Sequence, residues 1–126
     1  MNTLRISDLE EGRYLAFDLR DLLEVLGERS VAARWVCCVE ECTAFDDNSS
    51  IQLEEQYNNP EGMPGARLVT LAKETVQVID GVFEAFEGAS FWVKLVAVDS
   101  SYWEVTAEDD VLDRFRLRFR KTELVL

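Results

Sequence analysis

The chain has 126 residues, 48% of them hydrophobic, and 25 acidic against 13 basic side chains give a formal charge of −12. That length can bury one hydrophobic core without metals or cross-links, and that hydrophobic share excludes a disordered chain. The negative charge speaks against nucleic acid and anionic lipid, whose phosphates it repels, and in favour of basic protein partners.

Taken in order, Ser7-Asp8-Leu9-Glu10 has the hydroxyl-to-carboxylate spacing of a capping box, but Gly12 follows so soon that only a short turn is expected. Leu15, Leu19, Leu22, Leu23 and Leu26 recur at the three-four spacing of one helix face, predicting a helix over 15–27 that ends at Gly27. The run over 33–40, Ala33-Arg34-Trp35-Val36-Cys37-Cys38-Val39-Glu40, is β-branched, aromatic and cysteine-rich, and reads as a buried strand. Residues 45–50 then turn polar, and Asn58 to Gly65 holds both prolines among turn formers, which marks a surface loop. Arg67 to Glu74 suits a short helix, with a strand at Leu68-Val69-Thr70-Leu71 as the competing reading.

Val76–Ile79 and Val82–Phe86 flank Asp80-Gly81, a strong two-residue hairpin signal, although one continuous strand with a bulge there also fits. Turn residues at 88–90 and 99–101 bracket the strand Phe91–Val98, and Tyr102–Val105 completes an antiparallel meander. Thr106 stands where it can cap a helix whose first turn holds Glu108, Asp109 and Asp110 and whose end holds Arg114, Arg116, Arg118, Arg120 and Lys121. A helix places Ala107, Val111, Leu112, Phe115 and Phe119 on one stripe and misplaces only Leu117, whereas a strand would use the alternation of Phe115, Leu117 and Phe119 with arginines. The helix reading also explains the caps. Glu123 to Leu126 closes the chain as a strand.

The expected fold is one α+β domain over 1–126. An antiparallel sheet, made of the meander 76–106, the strand 33–40 and a C-terminal strand, carries the helices 15–27 and 107–120.

Motifs exclude more than they assign. The chain has no histidine, so the commonest acid–base catalyst near neutral pH and the commonest metal ligand are both missing. Phosphate-cradling glycine loops and a nucleophile elbow are absent as well. Cys37 and Cys38 point to opposite faces of a strand and cannot converge on one ion, and Cys38 shares a face with Cys42 only if the strand runs on. Asp46, Asn48 and Ser50 have the odd-numbered spacing of a calcium loop, but Ile51 replaces its glycine and Tyr57 its final glutamate. No metal or cofactor is expected. The odd number of cysteines and the lack of an export signal point to a reducing cytoplasm, where the Asn48-Ser49-Ser50 sequon carries no weight. No apolar run is long enough to span a bilayer.

Two candidate sites remain. Between Trp35 and Ala66 there is no lysine or arginine, while Glu40, Glu41, Asp46, Asp47, Glu54, Glu55 and Glu61 all fall there. The sharper reading is a recognition surface for a basic partner, as an inhibitor or immunity-type protein would carry, and the plainer one is a solvated acidic surface. The second site is a pocket between sheet and helices walled by Trp92, Tyr102 and Trp103 with Glu104 inside, which would suit a small molecule or catalysis. The arginines of 114–120 then serve as counter-charges for the protein's own carboxylates or as an anion site. A homodimer would be signalled by a large exposed apolar patch.

Overall fold

Alternation of apolar and polar side chains builds the centre of the molecule, which a computed structural model describes over residues 1–10, 14–56 and 59–126. The strands are β1 (Asn2–Ile6), β2 (Leu9–Glu10), β3 (Tyr14–Leu15), β4 (Arg34–Ala44), β5 (Met63–Pro64), β6 (Thr75–Glu87), β7 (Ser90–Val98), β8 (Tyr102–Ala107) and β9 (Thr122–Val125). All but β2 and β3, which pair with each other, form one antiparallel seven-stranded sheet in the order β5-β4-β6-β7-β8-β1-β9. Five helices among the described residues complete an α+β fold: α1 (Leu19–Leu26), α2 (Glu28–Ala32), α3 (Asp47–Glu54), α4 (Gly65–Glu74) and α5 (Asp109–Arg118).

Side chains two apart on a strand share a face. Trp35, Cys37 and Val39 on β4, Phe83 and Ala85 on β6, Leu95 on β7, Trp103 and Val105 on β8, and Leu4 and Ile6 on β1 are all buried. They join the leucines of α1, Leu68, Leu71 and Ala72 of α4, and Leu112 and Phe115 of α5 in one core. The alternate positions, including Val36, Cys38, Val82, Glu84, Lys94, Val96 and Glu104, remain half-exposed.

The hairpin expected at Asp80-Gly81 does not form. β6 instead runs on through it as one strand, the alternative reading, with Gly81 opposite Val39 on one side and Ala97 on the other and the register to β4 broken on either side of the Glu41–Asp80 pair. Two neighbouring strands thus hold Gly81 in the ladder, and its φ is not in the positive range that a two-residue hairpin turn requires. A side chain there would crowd Val78 and Phe83. Asp80 instead braces the β7–β8 turn, its Oδ1 accepting the Asp99 N–H at 2.9 Å.

Other boundaries shift for local reasons. The helix predicted over 15–27 begins at Leu19, because Asp18 is extended and serves as its cap, while Leu15 pairs with Leu9 in the β2–β3 ladder. That ladder also replaces the turn expected at 7–10, and Gly12 lies outside the described residues. Gly27 ends α1 as expected, at φ +69 with its N–H donated to Leu23 and Glu24 carbonyls. The helix predicted over 107–120 is α5, with Glu108 at the cap position because Thr106 and Ala107 still belong to β8. The strand 33–40 extends to Ala44, residues 67–74 are helical, and the closing strand is β9. Four further elements have no counterpart in the sequence reading: β1, which lies between β8 and β9; α2, which follows directly on Gly27; α3, from a stretch read as polar turn; and the two-residue β5 beside the head of β4.

Candidate functional site

The acidic surface is assembled from β4 and the helix that follows it. Val39 pairs with Gly81 and Glu41 with Asp80, so Glu40 is an extra residue in β4, a bulge that leaves both Glu40 and Glu41 exposed. The chain then turns at Phe45, and Asp46 caps α3 by accepting the Ser49 N–H at 2.7 Å. Leu53 is fully buried and anchors α3, and Cys42 Sγ lies 3.9 Å from the Ser50 carbonyl oxygen and 4.0 Å from Glu54 Oε1.

This β4–α3 unit gathers six of the seven predicted acids. Asp46 and Asp47 sit at the head of α3, where negative charge is favoured by the helix dipole. Glu54 and Glu55 sit at its tail, where it is disfavoured and the helix itself carries no basic residue, although Arg67 of α4 donates to Gln52 in that last turn at 3.0 Å. Glu61 is set apart at the opposite end of β4, where Arg34 donates to its main-chain oxygen at 3.0 Å. All seven side chains belong to exposed residues, and among the described residues none forms an ion pair.

Two apolar side chains stand in the same unit. Phe45 is 70% exposed and Ile51 is 51% exposed, although Cys42 near the end of β4 and Leu53 of α3 are buried. Neither is singled out by residue pattern. Phe45 stands beside Asp46-Asp47 in what reads as a polar turn, and Ile51 stands out only as the residue that spoils a calcium loop.

The second predicted site is not assembled. Trp103 is fully buried on the core face, 6.0 Å from Phe83 between ring centroids. Tyr102 and Glu104 alternate with it on β8 and therefore point to the other face. Trp92 is the extra residue of a bulge in β7, opposite Ala85 and Phe86, and is buried near the sheet end. Arg29 lies 4.4 Å from the Trp92 ring and binds Glu87 through two hydrogen bonds of 2.7 and 2.6 Å. Glu104 is held by Arg5 at 3.3 Å, and the same Arg5 stacks 4.2 Å from the Tyr102 ring. Trp92, Tyr102, Trp103 and Glu104 thus occupy two faces of one sheet and line no common cavity among those described.

The basic stretch is partly neutralised from within. Arg116 pairs with Asp113 at 2.7 Å and Arg118 with Asp21 at 3.9 Å. Asp8 accepts the main-chain N–H groups of Arg120 and Lys121 at 2.9 and 2.6 Å, which fixes the end of α5 against the start of the chain. Arg114, Arg120 and Lys121 have no ion-pair partner among the described residues.

The cysteines do not converge. Cys37 faces the core and Cys38 the open sheet face, as their adjacency on a strand requires. The strand does run on to Cys42, but the bulge at Glu40 changes the phase, so Cys42 is buried rather than aligned with Cys38. Burial pushes the Cys37 thiol up to about 12, and burial with the nearby Glu54 and Asp18 pushes Cys42 up to about 11. Among the described residues no three metal-binding side chains come together, and no helix is long and apolar enough to cross a membrane.

No family model, curated protein or solved structure matches the chain.

Proposed function

We propose that the protein is a small acidic cytoplasmic binding module that engages a basic protein partner through its β4–α3 unit, as an inhibitor or immunity-type protein does. The observation that carries this reading is the pairing of exposed Phe45 and Ile51 with Glu40, Glu41, Asp46, Asp47, Glu54 and Glu55, none of them in an ion pair among the described residues. Protein interfaces combine apolar anchors that bury fully with a charged surround that steers association and rejects wrong partners. Glu54 and Glu55 add a second argument, since their place at the tail of α3 costs helix stability that a basic partner would return. The three free thiols suit a reducing compartment, and the acidic surface does not suit nucleic acid.

The test uses a panel of small basic proteins and reads association by calorimetry at two salt concentrations. The expected partner binds more weakly at high salt, loses about tenfold or more with Phe45→Ala, and loses most of its salt dependence with Glu54→Gln combined with Glu55→Gln. Binding that is indifferent to salt and to all three substitutions would exclude this surface.

A further inference from the structure

A second surface lies on the helices, away from α3. Asp18 at the head of α1 bonds to Val78 near the start of β6, and α4 ends where β6 begins. At the other end, the Gly65 N–H at the head of α4 donates at 2.8 Å to the Ala33 carbonyl just past α2. α1 and α4 therefore run antiparallel. Arg20, in the first turn of α1, and Lys73, in the last turn of α4, share one end of the groove between them. Glu28 of α2 stands at the other end, with Glu24 on the wall between.

The groove encloses about 470 Å³, within the range of small-ligand sites. Leu23, Val31 and Val69 give it an apolar lining, and Val31 is 44% exposed there. Arg20 and Glu24 are one helical turn apart, within pairing reach. Among the described residues, however, none of Arg20, Lys73, Glu24 and Glu28 forms an ion pair. Positive charge at one end, negative charge at the other and an apolar floor between them describe the complement of a dipolar apolar ligand. From Arg20 to Leu26 the helix rises about 9 Å, with Glu28 just beyond. An extended tripeptide spans about 10 Å between its charged ends.

We infer that this groove binds a short apolar peptide by its two free termini. The carboxylate lies on Arg20 and Lys73, the ammonium against Glu24 and Glu28, and the side chains on Leu23, Val31 and Val69. A fatty acid would satisfy the cations but set its tail against the two glutamates, and an apolar amine would do the reverse. Because α3 takes no part, this inference and the acidic recognition surface stand or fall separately.

The test is a titration of the full, isotope-labelled chain followed by amide chemical shifts. The probes are the tripeptide Val-Leu-Val with free ends, the same peptide acetylated and amidated, and octanoate. The expected result is saturable shifts at Leu23, Gly27, Val31 and Val69 with the free peptide, and affinity weaker by about tenfold or more when both ends are blocked. Arg20→Ala with Lys73→Ala abolishes the advantage of a free carboxylate, and Glu28→Gln reduces that of a free amine. All three side chains are exposed, so these variants keep the fold. Equal binding of the blocked peptide or of octanoate overturns the inference, as does the absence of shifts in the groove at about 10 mM peptide.

Discussion

The Asp18 carboxylate, 6% exposed at the head of α1, accepts the main-chain N–H of Val78 at 3.0 Å and so joins the first helix to the sheet. Its own main-chain N–H is taken by Asp21 at 2.8 Å, and its second carboxylate oxygen is buried without a partner. Burial pushes Asp18 from 3.8 up to about 7, against the opposing effect of the Val78 hydrogen bond. The folded state therefore holds a proton that the unfolded chain releases, and Asp18 contributes stability that is lost as pH rises from about 4 through about 7.

Asp18→Asn keeps an acceptor for Val78 and removes the titration. Denaturant midpoints measured at pH 5.5 and 8 should show the native chain losing about 1–2 kcal/mol more than the variant over that interval. Asp18→Ala should instead be destabilised by about 1–3 kcal/mol at pH 5.5, because the Val78 N–H is left without its acceptor, and that deficit should shrink at pH 8, where the native chain has itself lost the Asp18 contribution. Parallel pH curves for the native chain and the Asp18→Asn variant would show that Asp18 does not carry the effect.

The thiols should separate by face. Alkylation of the native chain followed by mass spectrometry is expected to add one group, at half-exposed Cys38, while buried Cys37 and Cys42 react only after denaturation. Both buried thiols are also held well above the usual range, which starves them of thiolate at pH 8. Rapid modification of Cys42 in the folded state would contradict its placement behind α3.

Helix α5 makes opposite predictions for residues two apart. Phe115 is fully buried and Phe119 packs on Phe17 with ring centroids 4.7 Å apart, whereas Leu117 is 90% exposed. Phe115→Ala should cost about 3–5 kcal/mol and Leu117→Ser less than about 0.5 kcal/mol in thermal or chemical unfolding. Similar costs at both positions would match a strand and not a helix.

Gly65 begins α4 where a side chain would collide with the carbonyl groups of Ser30, Val31 and Ala33. Gly65→Ala is expected to destabilise by about 1–3 kcal/mol, since all three obstacles are backbone and cannot rotate away. Because α4 also forms a wall of the Arg20–Lys73 groove, the same variant should weaken peptide binding there.

Local pattern accounts for much of the fold. The spacing of Leu19, Leu22, Leu23 and Leu26, the Gly27 stop, the apolar stripe of Val111, Leu112 and Phe115, and the turns at Gly88 and Asp99 each depend on neighbours within one element, and each could be read directly. The acids of the β4–α3 unit were legible for the same reason, as an uninterrupted block in the chain. Partners distant in sequence decided the rest. Asp80-Gly81 has the composition of a hairpin, but pairing of both residues with β4 and of Gly81 with β7 keeps it within one strand. The bulge at Glu40 sends Cys42 inward, and the pleat sends Trp103 and Glu104 to opposite faces, which dissolves the aromatic pocket. The exposure of Phe45 and Ile51, and the placing of Arg20 and Lys73 along one groove, follow from which surfaces the core had already covered. Residue type and spacing therefore determined what each segment prefers, and tertiary packing determined which of those preferences could be met together.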